Sequence, residues 1–300
     1  MSGLRVWVQG IGLLGPGMGS WATVLDVLRG TAPHGFSPTV LPAPARLPPA
    51  ERRRAGPAVK LALAVADEAV AQARVDPGTL ATVFTSSSGE GMNCHVLCET
   101  LATPTPVVSP TRFTNSVHNA ASGCWHIAVA SRAASTSLCA FDGSFGAGLI
   151  EAATSVHTSG QPVLLVASDS PYPEPLHATR PLPDHFGVAL LLTPVETEHS
   201  LAALTIAMTG GRVGVGADEQ AAVSVCGDAS LEALRRAIPA AAALPLLGAL
   251  AGGSPQHVAI DCLPTMGLQI DVVPVNHPAP AFPPAVAPSA APAATPAAAP

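Results

Sequence analysis

Three stretches of the sequence hold residues whose types and spacing could do chemistry. The first is residues 135–157, STSLCAFDGSFGAGLIEAATSVH. A β-prone run leads into a turn of small residues and then into a run with helical spacing. A group at such a strand-to-helix turn is exposed at the strand's end, and the helix dipole favours its anion. Asp142 stands at the turn and is placed to be the helix N-cap, a role worth about 1 kcal/mol. Cys139 becomes a second candidate if the strand register slips by three. It would then lie inside a strand, whereas a helix N-terminus is what lowers a thiol pKa. Ser144 is a third candidate near the dipole. No histidine is placed by sequence to serve as its base, so it reads as a helix-start serine.

The second stretch, Gly10-Ile-Gly12-Leu-Leu-Gly15, matches G-x-G-x-x-G after a strand and could cradle a dinucleotide pyrophosphate. That use needs a helix starting inside the glycines and a carboxylate at the end of the next strand. Here Pro16, Gly17 and Gly19 follow, and Gly30-Thr31 stands where the carboxylate belongs. The third stretch gathers Cys94, His95 and Cys98. No second Cys or His pair lies at ligand spacing, so a closed zinc site is not expected. Two buried thiols one helical turn apart are the expectation, with no metal and no cofactor.

Strand and helix signals alternate around these stretches. Strands are predicted at 4–8, 80–84, 135–141, 163–168, 188–193, 201–208, 257–262 and 268–273. Helices are predicted at 21–29, 50–75, 115–132, 143–157 and 231–238. This alternation predicts an α/β fold with a sheet covered on both faces. The unbroken apolar runs PVLLVA and VALLL fit strands buried on both sides. Asp67 and Glu68 are expected on a wet helix face. Residues 274–300 hold nine Pro and eleven Ala and no Asp, Glu, Lys or Arg. They read as a disordered tail biased to polyproline II.

Composition narrows the function classes. Charged residues make up 11% of the 300-residue chain, under half the roughly 25% usual for soluble domains. The net charge is -6 and Lys60 is the single lysine, which argues against a nucleic-acid binder. The uncharged stretch at 237–253 is interrupted by Pro239 and Pro245, so no membrane span is expected. The six scattered cysteines read as buried thiols of a reducing compartment, and the expected address is the cytoplasm.

In their order, several segments together resemble the β-ketoacyl synthase family, with its thiolase-like fold. RVWVQGIGLLGPGMGSWATVLDVLRG resembles that family's opening strand, Gly-Pro loop and first helix. ERRRAGPAVKLALAVADEAV resembles its early long helix, and VFTSSSGEG its Ser/Gly loop. SPTRFTNSVHNAASGCWHIA resembles the Asn-containing helix before the active-site strand. SRAASTSLCAFDGSF resembles the segment that carries the nucleophilic cysteine. The resemblance covers about residues 3–210. It implies a layered α-β-α fold in three parts: an N-terminal ketosynthase-like domain at 1–210, a remnant of the C-terminal half at 211–273 completing the sheet, and the tail at 274–300.

The departures from the family pattern set the functional expectation. With Arg132 and Ser135 on the family's Arg and Ser, the nucleophile's position falls on Asp142. A carboxylate cannot hold an acyl group as a durable thioester. The family's two C-terminal histidine motifs are also missing. The resemblance therefore implies a chain-length-factor type of subunit, as in aryl polyene pathways, that pairs with a catalytic ketosynthase in polyketide or fatty-acid-like synthesis and shapes its acyl tunnel. His118, Asn119, Phe141 and Phe145 would be interface or tunnel residues. Arg52, Arg53 and Arg54 would be a landing place for an acidic acyl carrier protein. An active condensing enzyme using Cys139, and a dinucleotide-binding domain using Gly10 to Gly15, are the alternatives.

Overall fold

The computed structural model describes residues 3–87, 89–210, 223–263 and 266–275. Its strands are β1 (Leu4–Leu14), β2 (Ala81–Thr85), β3 (Ser135–Leu138), β4 (Val163–Asp169), β5 (Phe186–Thr193), β6 (Ala202–Gly210), β7 (Gln256–Leu263) and β8 (Met266–Pro274). They form one sheet in the order β3-β2-β4-β5-β1-β6-β8-β7. Strand β2 pairs in parallel with β3 and β4, and the other pairings are antiparallel. The helices are α1 (Trp21–Leu28), α2 (Pro49–Arg54), α3 (Pro57–Ala73), α4 (Gly91–Leu101), α5 (Pro110–Asn115), α6 (Ala120–Ala128), α7 (Ser144–Ser159), α8 (Leu176–Thr179), α9 (Ala229–Ala237) and α10 (Leu244–Gly252).

The central strands are apolar throughout because each faces two cores. Along β5, Phe186, Val188, Leu190 and Leu192 enter the core built with α7, α1, α9 and α10. Ala189 and Leu191 enter the opposite core with α3 and Trp125 of α6. This is the expected sheet covered on both faces.

Strand β1 shows why the glycine motif is where it is. A bulge between Val8 and Gly10 inserts one residue, so Val6, Val8, Ile11 and Leu13 all face the same core. Gly10 and Gly12 then face α3, which lies almost on the strand backbone. A Cβ on Gly12 would sit 1.9 Å from the Val65 carbonyl oxygen, and one on Gly10 would sit 2.1 Å from that of Ala69. No helix starts inside these glycines and no space is left for a pyrophosphate. The dinucleotide-loop alternative is therefore withdrawn.

Strand β1 pairs with β6 only over residues 4–8. Farther along, its outward N–H groups are met by side chains of α3. Gln72 Oε1 accepts from Ile11 N at 2.6 Å, and Glu68 accepts from Leu13 N at 2.8 Å and from Trp21 N at 2.7 Å. Burial holds the Glu68 carboxyl above its usual value, against the pull of those two N–H groups. Glu68 is thus a clasp between three elements and not part of a wet face.

Several expected elements are shorter than the sequence suggested. The helix expected at 50–75 is two helices, broken at Ala55 and Gly56, with Pro57 opening the second. The helix expected at 115–132 reduces to α6, with α5 before it, and the strand expected at 135–141 stops at Leu138. The cysteines are free, but Cys94, Cys98 and Cys139 are exposed, so the expectation of buried thiols fails for these three. Among the described residues no helix is long and apolar enough to cross a membrane. The tail expected at 274–300 lies outside the described residues beyond residue 275.

Candidate functional site

The junction from β3 to α7 is where the sequence placed its chemistry. After Leu138 the chain passes Cys139 and Ala140 into a single 3-10 turn, Phe141–Gly143, before α7 begins at Ser144. Phe141 adopts a left-handed φ of 52°, a conformation that costs a non-glycine residue about 1–2 kcal/mol. The hydroxyl of Ser144 stitches this turn. It donates to the Phe141 carbonyl at 2.7 Å and accepts from Ala140 N at 3.0 Å. Ser144 is 1% exposed, with its hydroxyl committed to backbone, so it is a structural residue and not a nucleophile.

Strand β7 presses on the same turn. A Cβ on Gly143 would lie 1.8 Å from the Cys262 carbonyl oxygen, and one on Gly146 would lie 2.6 Å from that of Asp261. The small residues that the sequence showed here are required by that approach.

Asp142 does not cap the helix. Gly143 is the N-cap, with no side-chain bond, and the Asp142 carboxylate instead accepts from Arg180 Nη2 at 2.5 Å. The Asp142 side chain is 70% exposed and that of Arg180 is 20% exposed. The Arg180 guanidinium also lies 3.7 Å from the Phe141 ring centroid and 5.9 Å from that of Tyr172. A cation held between an aromatic face and a carboxylate is well placed. The outcome is an ion pair at the turn between β3 and α7.

Cys139 is exposed, and its thiol donates to the Ser87 carbonyl at 3.3 Å. It lies in the linker after β3, outside both the strand and the first turn of α7. Among the described residues no histidine hydrogen-bonds to Asp142, Cys139 or Ser144. His118 Nε2 lies 3.4 Å from the Ser86 carbonyl, His126 meets Thr82, and His185 meets Ser170.

Asp169, which sequence reasoning missed, organises the neighbouring loop. It ends β4 at 2% exposure. Its Oδ1 accepts from Ser87 N and Ser87 Oγ at 2.7 Å each and from Ser86 Oγ at 3.2 Å, while Oδ2 accepts from Ala240 N at 2.8 Å. Burial holds its carboxyl above the usual value, and the bonds from Ser87, Ala240 and Ser86 oppose that. With the Ser87 hydroxyl proton given to Asp169, the Tyr172 hydroxyl is the donor in its 3.3 Å contact with Ser87. An Asp at the end of an apolar strand followed by Ser-Pro was the only signal available.

The other expected site residues are dispersed. Phe141, His118 and Asn119 are exposed, while Phe145 is fully buried in the core and cannot meet a partner's surface. Arg52 donates to the carbonyls of Ala45 and Leu47, and Arg54 pairs with Glu51 at 3.2 Å. Arg53 alone of the three shows no such bond. Among the described residues no group of three or more His, Cys, Asp or Glu side chains is placed to hold a metal ion.

Comparison with known proteins adds a family. Residues 30–236, about two thirds of the chain, match the family model described as the N-terminal domain of β-ketoacyl synthase. No curated protein matches the chain. Among solved structures, it is similar to a chain in the complex of the ketosynthase ApeO with its chain length factor ApeC from Xenorhabdus doucetiae. That match has 22% identity and a TM-score of 0.66, and it covers 89% of this chain and 99% of the other. The ishigamide ketosynthase/chain length factor matches at 16% identity and TM-score 0.66, covering 91% and 100%. A structure titled as a type II polyketide acyl-carrier protein in complex with its ketosynthase, AntDE:AntF, matches at 12% identity and TM-score 0.70, covering 90% and 99%. The shared feature is the thiolase-like α/β fold.

Proposed function

The chain belongs to the β-ketoacyl synthase family, and from that premise we propose that it is a non-catalytic subunit of the chain-length-factor type, paired with a catalytic ketosynthase. The observation that carries this reading is the ion pair of Asp142 with Arg180 at the nucleophile position. A carboxylate there forms no thioester. Ser144 is buried and bonded, and Cys139 lies outside the helix field with no histidine bonded to it.

The open side of the molecule supports a partner. Among the described residues strand β3 pairs with β2 alone and leaves its outer edge free, although such edges are usually covered or blunted. Beside it, Ile127 on α6, whose Ser122 bonds Ser137 of β3, and Phe141 just after β3 are 56% and 60% exposed. Apolar side chains flanking a bare edge strand suit burial against another subunit. His118 and Asn119 belong to that face in this reading, and Phe145 keeps only a lining role. The relatives' titles name ketosynthases with chain length factors and with an acyl carrier protein, which supports the same assignment here. The subunit would close the end of the acyl tunnel in a cytoplasmic polyketide, aryl polyene or fatty-acid-like pathway. Arg53 and Arg54 are the exposed members of the proposed carrier-protein contact, Arg54 being paired with Glu51.

The test is co-expression with a full-length ketosynthase encoded beside this chain, followed by incubation with radiolabelled acyl carrier protein. The expected result is a stable heterodimer in which label resides on the ketosynthase alone. Label on this chain that disappears in Cys139→Ala would overturn the reading and favour an active condensing enzyme.

A further inference from the structure

Helix α4 carries two thiols that the proposed function leaves unused. Cys94 and Cys98 are free, and both are exposed at positions i and i+4 of the same helix. Positions i and i+4 of a helix hold their Cβ atoms about 5–6 Å apart on one face. A disulfide requires about 3.5–4.5 Å between Cβ atoms, so this pair cannot close one without unwinding the turn. A soft cation has a longer reach. Two metal–sulfur bonds of about 2.3 Å each can span thiolates up to about 4.6 Å apart. Thiolate pairs favour Cu(I) over harder ions. The neighbouring His95 is taken up by Glu99, 3.3 Å away, and no third ligand group completes a set among the described residues. Tetrahedral zinc is therefore not served here by the described residues.

We propose that Cys94 and Cys98 form a two-coordinate dithiolate site for a soft monovalent cation of the Cu(I) type. Binding breaks two S–H bonds and forms two metal–sulfur bonds. Two protons pass to solvent, no electron moves, and the bound unit carries one negative charge. Partial desolvation, and after it the nearness of Cys98, holds the Cys94 thiol above its usual value. Binding releases two protons, so it tightens as pH rises.

The experiment titrates the reduced full chain with Cu(I), without oxygen, against the chromophoric chelator bicinchoninate. One Cu(I) per chain is expected to leave the chelator. That complex is lost in Cys94→Ser and in Cys98→Ser and kept in Cys139→Ser, which removes the third exposed thiol. Wild-type binding by either α4 variant, or loss in Cys139→Ser, overturns the site. A readout on the unmutated protein guards against misfolded variants. Cu(I) is expected to protect Cys94 and Cys98, and not Cys139, from alkylation by iodoacetamide, and equal labelling of all three would overturn the proposal.

Discussion

Two strand-to-helix junctions in this chain share a glycine-rich sequence and are finished in opposite ways. Where β1 meets α3, Gly10 and Gly12 admit helix backbone onto strand backbone, and Gln72 and Glu68 satisfy the N–H groups left over. Every group there is settled within the chain. Where β3 meets α7, the inner side is equally tight, with Gly143 and Gly146 against Cys262. Its outer side is open, with a bare edge strand, an exposed Phe141 and a solvent-facing ion pair. Glycine-rich turns therefore do not announce a ligand. In both places they record a backbone approach, and only the outward side distinguishes a sealed joint from an open one.

The comparison breaks most sharply at Gly12. A Gly12→Val side chain has no space beside the Val65 carbonyl, and the backbone on both sides must move. Loss of cooperative folding is expected, read by circular dichroism during urea titration. A folded Gly12→Val protein would mean the joint is loose.

A second test concerns Glu90, whose carboxylate sits beside Gly56 at the N-terminus of α3. Burial raises it to about 7, with the N–H groups of Asn93 and Val59 pulling it down. Its folded value lies above the ordinary 4.5, so the folded state holds the extra proton between those limits. The stability from this group is complete below pH 4.5 and is lost as pH rises through 7, by about 3 kcal/mol. Urea midpoints measured at pH 5 and pH 8 should differ less in Glu90→Gln than in the parent. An unchanged difference would remove Glu90 from the account.

Glu68→Ala leaves two backbone N–H groups unpaired and should cost about 2 kcal/mol by the same titration. The smallest effect is expected on the open side. Asp142→Ala breaks an exposed pair and should change the stability of the isolated chain by under about 1 kcal/mol. A larger loss there would make the second junction as self-sufficient as the first.

Most of the sheet was legible in the sequence. Strands β4 and β5 announced themselves as unbroken apolar runs, because burial on two faces removes alternation. Pro57 and Pro245 misled in opposite ways, since a proline at the first turn opens a helix: passing over Pro57 fused α2 with α3, and reading Pro245 only as a breaker hid α10. At the site, the turn of small residues after β3 was legible, but its purpose was not. Gly143 answers to Cys262, and Asp142 answers to Arg180, 38 residues away. Partners so distant leave no periodic trace in one sequence. Asp169 escaped for the same reason, since its bonds reach the loop after β2 and the turn at Ala240.

The short pairing of β1 with β6 gives the sheet a mechanical seam. Only residues 4–8 of β1 tie the first five strands to the last three, whereas β6 and β8 are zipped along the whole length of each. A load drawn across the sheet concentrates at that seam. Helix α7 packs across that seam, on β4 and on β7, so side chains and not the ladder hold the two parts of the sheet in place there.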